Sequence, residues 1–225
     1  KDTMSAVTTD QSDIKIAIND ADDAAVTVTK LSTIGGSTTG AVTAANKITV
    51  SGSHDELKAA FVTTGTKVTA AKAVVTFNDA DTTVVAATEL SDVGTAVGSA
   101  TVTNAIVVTA GHDDLKAAFV TTSSKVTAAK AVVTFNDVDT TAVEATELSN
   151  VASAVGSATV TNAIALSGNH DELTAALVTN GTKATAKKAV VTFDDATNAT
   201  MTASEISNIV GAVASATITN KVAIT

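Results

Sequence analysis

Short apolar runs alternate along the chain with stretches whose apolar residues recur at helical spacing. Ala105–Thr109 is an apolar, β-branched run, which is long enough for a strand and too short for a typical helix. The sequence that soon follows it, HDDLKAAFV, places Leu115, Ala118 and Phe119 on one face of a helix. We therefore interpret Asn104–Ala129 as a half-unit made of one strand and one helix.

A second half-unit covers Lys130–Thr161 and contains a turn. Ala131–Phe135 is predicted to form a strand, the sequence NDVD a turn, and Thr140–Ala145 a second short strand. Thr146 is then expected to cap a helix. The residues expected on the inner face of that helix are Leu148, Val151 and Val155. The strands carry Val on both pleat faces, which is typical of strands that are covered on both sides.

One octapeptide returns three times at a constant spacing. KAVVTFND occupies Lys72–Asp79 and Lys130–Asp137, and KAVVTFDD occupies Lys188–Asp195, so that equivalent residues are 58 positions apart. A partial and more divergent copy precedes them at Asn19–Ser32. Self-similarity at a fixed period is the signature of repeat architectures. We divide the chain into a divergent partial repeat, three repeats and a strand that opens an incomplete unit, at residues 1–47, 48–105, 106–163, 164–219 and 220–225.

These half-units predict an α/β repeat protein, organised as a solenoid-like stack of strand–helix half-units with a 58-residue period. One coil cannot bury its apolar face alone and needs a neighbour on each side. The predicted strand starts, at Ala73, Ala105, Ala131 and Ala163, alternate between a longer and a shorter spacing, each of which suits one coil of an α/β solenoid. The alternative is a tandem string of independent ββα beads, which is less favoured because a bead of a single period has a marginal core.

Composition narrows the class of protein further. The chain of 225 residues is 45% hydrophobic but only 2% aromatic, so its core has to be filled mainly by Val, Ala, Ile and Leu. The net charge of −9 argues against binding of nucleic acid, which such a chain would repel. No apolar run approaches the roughly 18 residues that a membrane helix requires, and the absence of Cys leaves the redox compartment open. Stacking is expected to bury two rows of residues, Phe77, Phe135 and Phe193 in one and Phe61, Phe119 and Leu177 in the other.

The texture of the chain resembles that of a group of bacterial surface proteins. Thr is far more frequent than in ordinary globular proteins, and there is no Pro. Units such as ATELSDVGTAVGSATVTNAIVVTAG, at Ala87–Gly111, are rich in Thr, Ala and Val. These features are similar to the long repeat regions of bacterial, notably cyanobacterial, cell-surface and adhesin-like proteins. The resemblance implies a microbial, extracellular, cell-surface role and names no activity.

The three His residues are the first candidates for chemistry. Each precedes acidic residues, as HDEL or HDDL, at a predicted helix start, where acids complement the helix dipole. Ser53–Glu56 and Asn169–Glu172 also have the spacing of a capping box. Equivalent residues two coils apart lie roughly 10 Å apart, so the three His residues cannot share one zinc ion. No catalytic triad can be assembled, and we expect the protein not to be an enzyme and to have no catalytic residues.

The turns NDAD and NDVD are candidates for calcium binding. Asp79, Asp81, Asp137 and Asp139 offer closely spaced oxygen atoms, and calcium takes six to eight oxygen ligands. An EF-hand is excluded, because the required Gly is replaced by Thr in both turns. The favoured interpretation is that Asn and Asp bind their own backbone in a turn. Apart from calcium, no cofactor is predicted.

Three classes of function follow from these patterns. The first is a structural subunit of an extracellular filament, sheath or surface layer. The second is the stalk of a large repeat adhesin, and the third is a binding module that depends on calcium or recognises a glycan or another cell-surface ligand.

The two ends of the chain suggest how copies would assemble. Lys1–Ser12 is too short for a full half-unit, and the terminal sequence NKVAIT opens a half-unit without its helix. Val222 and Ile224 are then expected to lack a covering coil. An uncovered edge favours head-to-tail addition of further copies and an open homopolymer. The alternative is that the chain is part of a longer array.

Overall fold

The structure of the chain is a computed structural model that describes residues 14–124 and 126–225, so that the expectation for Lys1–Ser12 falls outside the described residues. Within the described residues the chain is an α/β fold in which helices alternate with strands in parallel pairs. The helices are α1 (Val28–Gly35), α2 (His54–Phe61), α3 (Ala87–Ala96), α4 (His112–Phe119), α5 (Ala145–Ala154), α6 (His170–Leu177) and α7 (Ala203–Ala212). The strands are β1 (Ile16–Ile18), β2 (Ala24–Thr27), β3 (Val42–Ala44), β4 (Ile48–Gly52), β5 (Ala70–Phe77), β6 (Val97–Val102), β7 (Val107–Ala110), β8 (Val126–Phe135), β9 (Ala142–Glu144), β10 (Val155–Val160), β11 (Ala165–Gly168), β12 (Val190–Phe193), β13 (Thr200–Met201), β14 (Ser215–Ile218) and β15 (Ala223–Ile224).

The described chain consists of two compact units. Unit 1 comprises residues 14–79 and Asp92–Thr101, and unit 2 comprises Ala80–Ser91 and Val102–Thr225. The predicted α/β class is confirmed in both. Within the described residues, no helix is both long and apolar enough to cross a bilayer.

In unit 1, strand β4 lies between β2 and β5 and is parallel to both. Thr49 of β4 pairs with Val74 of β5, the strand that comes next along the chain. Strands β1 and β3 form a second parallel pair. Helices α1 and α2 pack against each other, and Leu31 and Leu57 on them are fully buried. Burial of these side chains covers the apolar stripe that each helix carries.

Unit 2 repeats this parallel arrangement. Strand β8 lies between β7 and β10, where Val132 pairs with Val107 on one side and with Ser157 on the other. Strand β11 lies between β9 and β12, and β12 pairs in turn with β14. Helices α4, α5, α6 and α7 pack against one another in chain order. The connections between paired strands are long enough for a helix, as parallel strands require.

The predicted core is confirmed. Leu115, Ala118 and Phe119 are the buried residues of α4, as the helical spacing predicted. The six residues of the two expected rows are all buried, namely Phe61, Phe77, Phe119, Phe135, Leu177 and Phe193. The Phe residues therefore supply the large side chains of an otherwise aliphatic core.

Several predicted boundaries are wrong, and the strands predicted to begin at Ala73, Ala105 and Ala163 begin at Ala70, Val107 and Ala165. Helix α5 begins at Ala145 with Glu144 as its N-cap, so that Thr146 lies in the first turn and is not the cap. The reason is that β9 runs directly into the helix without an intervening loop. Strand β8 begins at Val126 and not at Ala131, because its first residues pair with the start of β10.

The hydrophobic pattern does not predict the strands that follow α3, α5 and α7. Strands β6 and β10 share the sequence VGSATV, whose small and polar residues give no continuous apolar run. A Cβ atom on Gly156 would lie 2.9 Å from the carbonyl carbon of Lys130, so glycine is needed for this close approach to β8. The equivalent residue of the third repeat is Ala214, and β14 begins only after it, at Ser215.

The turn after each acidic motif contains a residue with left-handed backbone. Its φ is 68° at Thr82, 68° at Thr140, 69° at Asn198 and 63° at Asp23. Asn and Asp tolerate this conformation, whereas a β-branched residue is strained in it. Two of the four turns therefore store strain at a Thr residue.

We predict that Thr140→Asn raises the free energy of unfolding by up to about 1 kcal/mol, because it relieves this strain. The measurement is chemical denaturation followed by circular dichroism. The matched control is Asn198→Thr at the equivalent position, which should lower the free energy of unfolding by a similar amount. A loss of stability in Thr140→Asn would contradict the prediction.

We also predict that Phe135→Ala lowers the free energy of unfolding by about 3–5 kcal/mol, because the ring is fully buried on β8. Val132→Ala on the same strand is the control, since Val132 is 41% exposed and should cost far less. Equal losses in the two variants, measured by urea denaturation, would show that Phe135 does not hold the core.

Candidate functional site: a repeated Asp–His clasp

Each of the three His residues is the first residue of a helix, at the start of α2, α4 and α6. Its Nδ1 atom forms a hydrogen bond with the carboxylate of an Asp residue that lies 25 positions later, two residues after β5, β8 or β12. The Nδ1–Oδ1 distances are 2.6 Å for His54–Asp79, 2.6 Å for His112–Asp137 and 2.5 Å for His170–Asp195. We call each of these pairs an Asp–His clasp.

The carboxylate of the clasp also binds the start of the helix. The backbone N–H of His112 donates to Oδ1 and Oδ2 of Asp137 at 3.1 and 3.0 Å. The Asp137 side chain is only 6% exposed, so these donors replace the water that it loses. The N-cap of α4 is Gly111, which has no side chain to cap the helix. Asp137, which belongs to the following half-unit, therefore caps the N-terminus of α4.

Helices α2 and α6 have a second cap of their own. Ser53 with Glu56 and Asn169 with Glu172 form the capping boxes that the sequence predicted. The His residues of these helices make the same backbone hydrogen bond, from His54 to Asp79 and from His170 to Asp195. The clasp is thus common to three helices whose own caps differ.

A repeated Asn residue continues the clasp to the next half-unit. The Asn162 side chain donates to the backbone carbonyl of Asp137 at 2.7 Å, again across 25 positions. Asn220 binds the carbonyl of Asp195 in the same way, at 2.7 Å. His112, Asp137 and Asn162 are therefore linked in series across three successive half-units.

The calcium candidates are all engaged in hydrogen bonds. Asp79 and Asp137 hold clasps, whereas Asp81 and Asp139 accept from the backbone N–H groups of Ala105 and Ala163 at 2.8 Å. These bonds differ from the favoured interpretation, in which Asn and Asp bind the backbone of their own turn, because each accepts from a backbone N–H group 24 or 25 positions away. Calcium binding at these four residues stays a prediction.

Hydrogen bonds between half-units shift the pKa values of His170 and Glu147 in unit 2. The hydrogen bond to Asp195 raises the pKa of His170; burial opposes this shift, while the nearby charges of Asp195, Asp171 and Glu205 support it. The hydrogen bond from Lys116 lowers the pKa of Glu147. In both cases the charged form is stabilised by a partner on another half-unit.

The clasp uses Nδ1 of each His, so that the second ring nitrogen, Nε2, lies near an exposed Asp side chain. In each case that Asp is the residue that follows the His. The distance from Nε2 of the His to Oδ1 of the Asp is 3.7 Å at Asp55, 3.6 Å at Asp113 and 3.6 Å at Asp171. An Asp–His pair becomes a catalytic base only when a nucleophile or substrate meets this nitrogen. The geometry supports a structural use, since the same pair joins a strand end to a helix start three times.

Of the two assembly candidates, Ile224 lies in the last strand and Val222 directly precedes that strand. Strand β15 pairs with β13 in parallel. Ile224 is 58% exposed, and Val222 is half-buried. Ile224 therefore presents apolar surface, whereas Val222 is partly covered, and a role of these two residues in assembly stays a prediction.

We predict that Asp137→Ala lowers the free energy of unfolding by about 2–4 kcal/mol, because the start of α4 and the ring of His112 both lose their acceptor. Asp137→Asn keeps one acceptor oxygen and should lose less. The control is Asp113→Ala in the same helical turn, where the side chain is 87% exposed. Urea denaturation is the measurement, and equal losses at Asp113 and Asp137 would contradict the clasp.

The chain was also compared with known proteins. No family model, no curated protein and no solved structure matches it. What the protein does therefore has to be inferred from its own residues and their geometry.

Proposed function

We propose that the chain is a structural, non-enzymatic protein built as a solenoid of stacked strand–helix half-units with a 58-residue period. The observation that carries this proposal is the clasp, which joins residues 25 positions apart in each of the three repeats. A bond that recurs with the repeat serves the stacking of half-units. A catalytic site is more often a single departure from such a pattern.

Two features of unit 2 favour a continuous stack over independent beads. Strand β9 of the second repeat pairs with β11 of the third repeat. Helix α5 of the second repeat also packs against α6 of the third. Independent beads would need neither contact, whereas in a stack each half-unit buries the apolar face of its neighbour.

A structural role at a microbial cell surface is consistent with the composition. Contacts within the described residues are built mainly from small and β-branched side chains. The net charge of −9 makes copies of the chain repel one another except where complementary surfaces meet. The resemblance to bacterial surface repeats supports an extracellular filament, sheath or layer. A stalk within a larger adhesin remains the alternative.

The layer formed by α7 and β14 supports assembly with a second copy. In α5 the buried residues are Ala145, Leu148, Val151 and Ala152, whereas in α7 the buried residue is Ile209. Val210 is 44% exposed, and among the described strands β14 pairs with β12 on one side. An open parallel edge with apolar residues beside it favours strand addition by another copy.

We predict that the purified chain forms rods or fibres whose length grows with concentration, and that Ile224→Lys prevents this growth. Sedimentation velocity and negative-stain microscopy are the measurements. The control is Val138→Lys, which changes a more exposed residue, 75% accessible, in the loop before β9. A wild-type chain that stays monomeric at every concentration would show that assembly with a second copy is wrong.

A further inference from the structure

The third repeat differs from the second at a position beside its clasp. In the second repeat, Lys116 on α4 and Glu147 on α5 form an ion pair. The residue equivalent to Glu147 in the third repeat is Glu205 on α7, but the residue equivalent to Lys116 is Thr174. The lysine that engages the glutamate in one repeat is therefore replaced in the next.

Where the lysine is replaced, three possible metal ligands come together. Ligand atoms of His170, Asp171 and Glu205 all lie within 4.8 Å of one another. Among the described residues, this is the group of three possible metal ligands that lie so close together. Nε2 of His170 is 3.6 Å from Oδ1 of Asp171. Two ligands that share a zinc ion lie roughly 3–3.5 Å apart, so a small movement of side chains would complete the site.

The clasp orients the imidazole for a metal. Asp195, whose side chain is 3% exposed, holds Nδ1 of His170 at 2.5 Å. The remaining ring nitrogen, Nε2, is the one that faces Asp171. A carboxylate that binds one ring nitrogen while the other binds a metal is the usual outer support of a metal-bound His.

The carboxylate of Glu205 is also held in place. Its Oε2 atom accepts hydrogen bonds from the backbone N–H and the hydroxyl of Thr202, both at 2.8 Å. The carboxylates of Asp171, Asp195 and Glu205 place negative charge around the imidazole of His170. In addition, the hydroxyl oxygen of Thr174 is buried and has no hydrogen-bond partner within the described part of the chain. Thr174 therefore supplies no positive charge that could neutralise Glu205, unlike Lys116 at the equivalent position.

We propose that His170, Asp171 and Glu205 bind one divalent transition-metal ion of the zinc class, which joins α6 to α7. Imidazole nitrogen and carboxylate oxygen are both ligand types that such ions take, and three protein ligands leave a further position for water. Calcium and magnesium prefer ligand sets made only of oxygen, so this site is chemically distinct from the four Asp residues considered for calcium.

The first test is titration of Zn²⁺ alone into the full chain by calorimetry, after treatment with a chelator. We expect one ion per chain. Thr174→Lys should restore the ion pair to Glu205 and weaken binding by about tenfold or more, and Glu205→Gln should do the same. Circular dichroism checks that each variant is folded. Undetectable binding to the wild-type chain, or binding that neither substitution weakens, would overturn the proposal.

The second test transfers the site to the second repeat. Lys116→Thr releases Glu147 beside His112 and Asp113, so we expect the stoichiometry to rise from one zinc ion to two. This gain cannot result from a loss of folding, and a stoichiometry that stays at one would contradict the role given to the lysine. Titration with Ca²⁺ tests the class of metal. If Ca²⁺ binds more tightly than Zn²⁺ and Glu205→Gln abolishes that binding, the assignment to an ion of the zinc class is wrong.

Discussion

A carboxylate that is removed from water has to meet hydrogen-bond donors, and this chain satisfies that requirement in the same way three times. Asp137 lies just after β8, is almost fully buried and accepts from the backbone N–H and the ring of His112. The end of one strand and the start of the helix that precedes it in the chain are therefore held at a fixed position. Asn162 extends this connection to the next half-unit through the Asp137 carbonyl. Much of the order in unit 2 depends on this series of bonds.

The clasp explains why polar residues recur along the chain as strictly as the residues of the core. Phe135 fills the interior beneath β8, while Asp137 two residues later fixes the helix beside it. The His ring forms a further hydrogen bond with the carboxylate through Nδ1, and Nε2 takes no part in the clasp. What that nitrogen can do then depends on its neighbours, which differ between repeats.

The third repeat keeps the core and the clasp but changes the contacts around them. Ala214 stands where Gly156 allows β10 to lie close to β8, and the equivalent strand β14 starts later. Thr174 stands where Lys116 joins α4 to α5. The first change accompanies a strand shorter than β10, and the second removes the lysine that pairs with the glutamate of the next helix. A metal ion between α6 and α7, as proposed, supplies a connection at that place.

The sequence by itself determined the α/β class, the buried face of α4, the buried Phe residues and the capping boxes, because apolar spacing and local hydrogen bonds are readable over a short stretch of chain. It placed Asp137 in a turn but did not pair it with His112, since a contact between positions so distant in sequence depends on which strands lie side by side. It also missed β10, whose small and polar residues form a strand because they pair with β8, which Gly156 allows to come close. The neighbourhood of Glu205 and His170 was likewise decided by packing of α6 against α7, which no local pattern encodes.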